Sequence, residues 1–325
     1  MTRKNTQSRL TTGKICLLLA FAALFAGGCQ PHPTADSWNT TPSDTTSDGS
    51  RIFHLMSAGS KIDLTITPGK LNVTDADIVN WVRRSAMAHV HYFGHFPIPH
   101  AHITILAAEV GPIGDGLTTN EGIRITVGPE AHKADLDNDW IMVHEMFHLA
   151  FPDMDDRYIW LREGLASYLE PFARARVGTI AIDQVWKDLY EGLPQGQPQP
   201  GDRGLDNTHT RESVYWGGSM FCFLADLRIR EQTHNAKSLD TAMRAILDQG
   251  GNRFAHWTMD QVLKSCDQST GTTVMSDLYK EMGNKPKTVD LHALWKRLGV
   301  RVVHGRVIYD NTAPLAQIRV SMTEP

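Results

Sequence analysis

The 325-residue sequence predicts an α+β protein in which a small mixed sheet packs on a mostly helical subdomain. Segments of alternating apolar and polar residues, separated by turn signals, come first along the chain and are typical of strands. From about residue 135 to residue 282 the apolar residues recur at helical spacing instead. This change of period divides the folded part into an α/β subdomain, residues 51–135, and a helical subdomain, residues 136–285.

Three strands and one helix are expected in the first subdomain. The strand segments are Lys61–Thr67, Ala101–Ala107 and Ile123–Val127. Thr74 and Asp75 are good caps for a helix that runs from Ala76 to about His91. The glycine-rich stretch Gly111–Gly122 is expected to be a loop. We interpret Ile123–Val127 either as an edge strand that pairs with an extended peptide or as a purely structural strand.

The second subdomain is expected to begin with a buried helix, because the residues around Trp140-Ile141-Met142-Val143 are apolar on nearly every face. Further helices are predicted near residues 157–174, 181–191, 214–232, 238–249, 259–267 and 273–282. The remaining residues, 286–325, are expected to form a C-terminal helix and a β-hairpin. The helix lies near Asp290–Leu298, and the β-rich runs are Val300–Tyr309 and Ala316–Met322.

The N-terminus is typical of an export signal. A basic start is followed by the apolar run Ile15–Ala26, which is too short to cross a bilayer as a helix. Small residues then precede Cys29, as in a bacterial lipobox. We therefore expect a lipoprotein signal peptide at residues 1–28, a lipid anchor on Cys29 and a disordered tether at residues 29–50. An ordinary cleaved signal and a retained membrane helix are the alternatives.

These features predict an exported protein of the cell envelope, held at the outer membrane or the periplasmic face by its lipid alone. A net charge of -4 without a basic cluster argues against nucleic acid as a partner. Cys222 lies in an apolar helical run and is expected to be a buried free thiol. An oxidising compartment also permits a disulfide between Cys222 and Cys266.

The segment His144-Glu145-Met146-Phe147-His148 has the spacing that places two imidazoles one helical turn apart, with a carboxylate beside them. A second helical segment supplies Glu163, the natural third ligand. Two histidines and one glutamate leave the fourth position of a zinc ion open, which is the catalytic type of coordination. Glu145 is then placed to take a proton from water. The sequence predicts one zinc ion and hydrolytic chemistry.

The segment Trp160-Leu161-Arg162-Glu163-Gly164-Leu165-Ala166-Ser167-Tyr168 resembles the stretch that carries the glutamate ligand in gluzincin zinc peptidases of the aminopeptidase N kind. Tyr215-Trp216-Gly217-Gly218, followed by an apolar helix, resembles the same group and the glycyl aminopeptidases. The resemblance covers roughly residues 120–235 and implies a thermolysin-like helical subdomain. It also implies zinc binding by His144, His148 and Glu163, a general base at Glu145 and an oxyanion donor at Tyr215.

Three departures accompany this resemblance. Fourteen residues separate His148 from Glu163, fewer than is usual in the family, so Asp153–Asp156 would have to turn tightly. Arg162 stands where the family has Asn. The Gly-x-Met-Glu-Asn element that holds a substrate's amino group is absent, so exopeptidase and endopeptidase activity both stay open.

The resulting prediction is a zinc metallopeptidase that acts on a peptide or protein substrate. A non-catalytic envelope lipoprotein on a metallopeptidase scaffold is the alternative, and zinc-assisted hydrolysis of a non-peptide bond is a third possibility. A separate group of histidines suggests a second metal site or a pH-sensitive surface: His89, His91, His95, His100 and His102. Because no carboxylate or cysteine shares their spacing, we expect them to be solvated polar positions.

Overall fold

The computed structural model describes residues 38–57 and 59–324. Over this range the protein has the predicted α+β architecture, with a mixed sheet near its N-terminal end and helices through most of the remainder. The predicted signal peptide and Cys29 lie outside the described residues. Each helix in the described ranges is too short or too polar to cross a membrane.

Within the described residues, six strands form the main sheet, in the order β1-β2-β3-β4-β6-β5. Their bounds are β1 Asn39–Thr45, β2 Arg51–Ser57, β3 Ser60–Ile66, β4 His100–Ala107, β5 Ile113–Thr119 and β6 Gly122–Val127. The central pairs β3–β4 and β4–β6 are parallel, whereas the outer pairs are antiparallel. Such parallel pairing requires crossover connections. Helix α1, Asp75–Phe93, connects β3 to β4 and begins at a Thr74 capping box with Asp77.

The remaining helices build the second part of the molecule. They are α2 Lys133–Asn138, α3 Ile141–Leu149, α4 Ile159–Arg176, α5 Ile182–Gly192, α6 Gly218–Gln232, α7 Leu239–Asp248, α8 Met259–Thr270, α9 Val274–Met282, α10 Leu291–Leu298 and α11 Ala316–Thr323. A short hairpin of β7 Val300–Val303 and β8 Arg306–Tyr309 follows α10.

Helix α3 lies between the two hydrophobic cores, which explains why it is apolar on nearly every face. Met142, Met146 and Leu149 pack in the core formed by the sheet and α1. Val143 and Phe147 pack on the other side, in the core of the helical part. Because both faces of α3 are buried, its orientation is fixed from two sides. This helix therefore provides a rigid platform for the polar side chains that it carries.

The predicted tether at residues 29–50 is wrong where the structure describes it. Asn39–Thr45 is strand β1, paired antiparallel with β2. The turn that follows is held by a hydrogen bond from the Ser50 amide to the Asp48 carboxylate. Trp38 is buried and packs edge-on against Phe96. A polar sequence forms this edge strand because backbone pairing with β2, rather than apolar side chains, satisfies its polar groups.

The predicted loop Gly111–Gly122 is also wrong, because it contains strand β5. Within the described residues, β5 pairs with β6 alone and forms the edge of the sheet next to α3. The strand suggested as a peptide-binding edge, Ile123–Val127, is therefore internal, paired with β4 on one side and β5 on the other. Glycine is required in β5, since a Cβ on Gly116 would lie 2.6 Å from Ile141 Cγ2 and 2.7 Å from Glu145 Oε1.

At the C-terminal end, Ala316–Met322 is helical and not the second strand of a hairpin. Ile318 and Met322 are buried in the helical core, so packing overrides the β propensity of the run. The hairpin lies earlier and turns at His304 and Gly305, both with positive φ, which is typical of a tight hairpin turn. Cys222 in α6 and Cys266 in α8 are buried and form no disulfide within the described part of the chain.

Candidate zinc site

Helices α3 and α4 bring three predicted metal ligands together. The Nε2 atom of His144 lies 3.2 Å from Glu163 Oε2, and the Nε2 atom of His148 lies 3.5 Å from the same oxygen. The two imidazole rings are 5.0 Å apart and nearly perpendicular. The abbreviated connector thus does not prevent Glu163 from reaching the histidines.

Two arginines hold this short connector. Arg162 and Arg253 each donate to Asp153 Oδ1 at 2.9 Å. The Asp153 backbone pairs with the 255–257 segment, since its amide donates to the Ala255 carbonyl and its carbonyl accepts from the Trp257 amide. The chain then makes a 3-10 turn, Asp156–Tyr158, that leads into α4. Arg162 stands where the similar segment of aminopeptidase N-like peptidases has Asn. It lies next to Glu163 and holds the connector in place through Asp153.

Burial and hydrogen bonding shift the pKa values of Glu163 and His144. Burial alone would raise the pKa of Glu163, but hydrogen bonds to His144 and His148 outweigh it and hold that pKa far below its usual range. Burial lowers the pKa of His144, which favours the neutral imidazole. Two imidazole nitrogens and one carboxylate oxygen, all converging, form the donor set that zinc prefers. The residues present fit a zinc ion.

Glu145 lies beside this group and is held by strand β5. One ligand atom from each of His144, Glu145 and His148 lies within 4.8 Å of the others. Thr118 Oγ1 lies 2.6 Å from Glu145 Oε2 and 2.9 Å from its backbone carbonyl oxygen. Glu145 is buried, and the absence of a side chain on Gly116 provides the space for it. Its carboxylate thus has a fixed position next to the histidines.

Tyr215 lies at the same site, in a single π-helical turn, Ser213–Gly217, that leads into α6. Its ring centroid is 6.2 Å from that of His144. Burial, the charges of Glu163 and Glu145, and a hydrogen bond with Glu163 raise the pKa of Tyr215 to about 12. The phenol therefore keeps its proton over the physiological pH range and can donate a hydrogen bond.

Two glycines allow α4 and the start of α6 to approach closely. A Cβ on Gly164 would lie 2.3 Å from the Gly218 carbonyl carbon, and a Cβ on Gly218 would lie 2.0 Å from the Trp160 carbonyl oxygen. The backbones of α4 and α6 are thus in direct contact at Gly164, which follows Glu163, and at Gly218, which lies three residues after Tyr215. This contact explains why glycines follow both of these side chains in the sequence.

No family model and no curated protein matches the sequence. Among solved structures, an aminopeptidase N family protein from Idiomarina loihiensis is similar, with a TM-score of 0.62 at 15% identity. The similarity covers 83% of this chain and 57% of that one. The chain has a gluzincin aminopeptidase-like fold. It spans little more than half of the length of that protein.

A further similar structure is an M1 zinc metallopeptidase from Deinococcus radiodurans bound to a Tyr-Ser-Ala substrate, at 14% identity and a TM-score of 0.49. That similarity covers 78% of this chain and 52% of the other, and the low score adds no weight to the fold assignment. At such identities the likeness extends to the gluzincin fold, and function has to be argued from the site itself.

The gluzincin fold places the five predicted site residues, His144, Glu145, His148, Glu163 and Tyr215, around one position. Sequence reasoning missed Thr118, because it lies in a segment that was predicted to be a loop. The threonine is 27 residues from Glu145, and no local pattern links the two. The pairing of Arg162 with Asp153 was missed as well, although the tight connector that it stabilises was expected.

Proposed function

We propose that this protein is a zinc-dependent metallopeptidase that hydrolyses peptide bonds. The observation that carries the proposal is the convergence of His144 Nε2, His148 Nε2 and Glu163 Oε2, with the Glu145 carboxylate beside them. In this arrangement His144, His148 and Glu163 would hold the ion. Zinc, when bound, supplies a Lewis acid for the peptide carbonyl and lowers the pKa of water to about 7.

Glu145 would act as the general base. Its carboxylate takes a proton from the attacking water as the oxygen adds to the peptide carbonyl. The same carboxylic acid then gives that proton to the leaving amine as the C–N bond breaks, which restores Glu145 to its ionised form. Thr118 supports both transfers because its hydroxyl, 2.6 Å from Glu145 Oε2, keeps the carboxylate in position.

Tyr215 would stabilise the negative charge that develops on the carbonyl oxygen. Its phenol is protonated and lies near His144, so it can donate a hydrogen bond that strengthens as the charge grows. Removing one donor of this kind from an enzyme typically costs 10²- to 10³-fold in kcat, or about 3 kcal/mol.

The edge strand β5 offers a place for the substrate backbone. β5 lies directly beside α3, where Thr118 and Gly116 approach Glu145. Its outer side is unpaired within the described part of the sheet. An extended peptide could add to this edge by backbone hydrogen bonds, which would pass its scissile bond across Glu145. β5 takes the role that the sequence suggested for Ile123–Val127.

The direct test is cleavage of a mixed peptide library by the purified protein, with zinc content measured on the same sample. We expect about one catalytic zinc ion per chain, cleavage of peptide bonds, and loss of cleavage when a chelator removes the metal. The masses of the fragments distinguish exopeptidase from endopeptidase action. A zinc-loaded protein that cleaves no member of the library would favour the non-catalytic alternative.

We also propose that the protein is exported and anchored by a lipid on Cys29. Support comes from the basic start, the short apolar run and the small residues before Cys29. A Cys29→Ala chain should move from the membrane fraction to the soluble envelope fraction. Equal membrane association of the parent and variant would contradict the anchor.

A further inference from the structure

A second group of potential ligands lies on the outer face of the sheet. It consists of His54 on β2, Asp63 on β3, and His100 and His102 on β4. Asp63 is opposite His54 on one neighbouring strand and opposite His102 on the other. Because side chains alternate along a strand, all four point away from the core, whereas Ile62 and Leu64 are fully buried on the other face.

The side chains in this sheet cluster converge on the Asp63 carboxylate. His100 Nε2 lies 2.6 Å from Asp63 Oδ2, and His54 Nδ1 lies 2.5 Å from Asp63 Oδ1. The rings of His100 and His102 are 4.3 Å apart. One ligand atom from each of Asp63, His100 and His102 lies within 4.8 Å of the other two. No carboxylate lies near these histidines in the sequence. Asp63, which is 37 residues before His100, supplies it from the neighbouring strand.

We propose that Asp63, His100 and His102 bind a divalent transition-metal ion such as Zn²⁺, separately from the helical site. Two imidazoles and a carboxylate are a donor set that suits zinc, nickel and copper. The ligands stand on adjacent strands whose backbones are hydrogen-bonded, so they lie close together before an ion arrives. His54 occupies the other carboxylate oxygen and so orients Asp63 towards the two histidines.

Lys61 is a competitor for the same carboxylate. Its Nζ lies 2.8 Å from Asp63 Oδ1, and its side chain is 36% exposed. A bound ion would repel this ammonium group, and the long side chain can move into solvent. Lys61 therefore makes the site weaker than its donor set alone would suggest. Removing the ammonium group in Lys61→Met should therefore make the site bind metal more tightly than in the parent.

The test is the number of Zn²⁺ ions bound by the purified protein and its variants, measured by isothermal titration calorimetry. The parent is compared with Asp63→Asn and His102→Ala, and His95→Ala is the matched control. His95 belongs to the same histidine-rich stretch, but its Nδ1 contacts the Phe96 carbonyl instead of Asp63. The parent and every variant keep His144, His148 and Glu163. The difference in ion count therefore reports the cluster of Asp63, His100 and His102 alone.

We expect Asp63→Asn and His102→Ala to lose one ion per chain or to bind it at least roughly tenfold more weakly. His95→Ala should match the parent, and Lys61→Met should bind severalfold more tightly. Circular dichroism without metal checks that each variant is folded, and the exposed position of His102 favours this. Equal ion counts in the parent, Asp63→Asn and His102→Ala would overturn the proposal. A Lys61→Met affinity no higher than the parent's would also overturn it.

Discussion

Thr118 and Glu145 are joined across the boundary between the sheet and the helical part. The Thr118 hydroxyl lies 2.6 Å from the Glu145 carboxylate and 2.9 Å from the Glu145 carbonyl oxygen. The edge strand β5 and helix α3 are therefore linked at the residue proposed to move protons. A peptide that pairs with β5 would add a strand to the sheet directly beside the strand that positions Glu145, the proposed base.

Replacing Thr118 by Val should lower kcat by roughly 10- to 100-fold, because a hydrogen bond to a charged group contributes about 1.5–3 kcal/mol. Valine has nearly the same shape and Thr118 is not an expected ligand, so zinc content should change little. Thr118→Ser keeps the hydroxyl and should recover most of the rate. Steady-state kinetics on one peptide checks this, and equal rates for the Val and Ser variants would contradict the positioning role.

Replacing Tyr215 by Phe should lower kcat by about 10²-fold with little change in KM, since the proposed hydrogen bond strengthens only as charge develops. The variant should retain zinc, because Tyr215 is not among the expected ligands. Kinetics and metal analysis of the same preparation provide the measurement. A change confined to KM would assign Tyr215 to substrate binding instead.

Replacing Gly164 by Ala should destabilise the protein and reduce its activity together. The new Cβ would lie 2.3 Å from the Gly218 carbonyl carbon, so the backbones of α4 and α6 must separate. Overpacking of this kind typically costs about 1–3 kcal/mol, and the shift would also displace Tyr215 from Glu163. Thermal unfolding and kinetics test this, with Ser167→Ala in the same helix as the control. Unchanged stability in Gly164→Ala would show that the contact is not as tight as described.

His89 should make the protein sensitive to mild acid. It is fully buried, its Nδ1 contacts the Ser85 carbonyl, and among the described residues its Nε2 has no hydrogen-bond partner. Burial lowers the pKa of His89 to about 4, although the contact with Ser85 opposes this. The folded state therefore resists protonation, whereas the unfolded chain accepts a proton near pH 6.5.

Stability should consequently fall as the pH drops from about 6.5 to about 4, and His89 should account for about 3 kcal/mol of that fall. Below pH 4 its contribution should level off, because both states then bind the proton. Urea unfolding across this pH range, compared between the parent and His89→Leu, measures the difference. Parallel pH profiles for the two chains would show that His89 does not titrate in this way.

The features that could be predicted from sequence depend on local spacing. His144 and His148 share a helix face because they are four residues apart, and the apolar residues around them require burial on two sides. Helix α1 begins at the predicted cap, Thr74. Glu163 was the expected third ligand because its segment is helical and carries a carboxylate, and it lies beside both histidines although the connector is short.

What could not be predicted depends on partners distant in sequence. Strand β5 is glycine-rich and gains its order from pairing with β6, so its own residues indicate a loop. Asn39–Thr45 is polar and is ordered by β2 in the same manner. Asp63 joins His100 and His102 only because β3 and β4 are neighbours. Local propensity contains no information about such pairings.

The central claim is that one zinc ion, held by His144, His148 and Glu163, acts together with Glu145 on peptide bonds. The most direct measurement is the zinc content and peptide hydrolysis of Glu145→Gln beside those of His148→Ala. We predict that Glu145→Gln keeps the ion and loses hydrolysis, whereas His148→Ala loses that ion and activity together. A Glu145→Gln protein that cleaves peptides as fast as the parent would contradict the account.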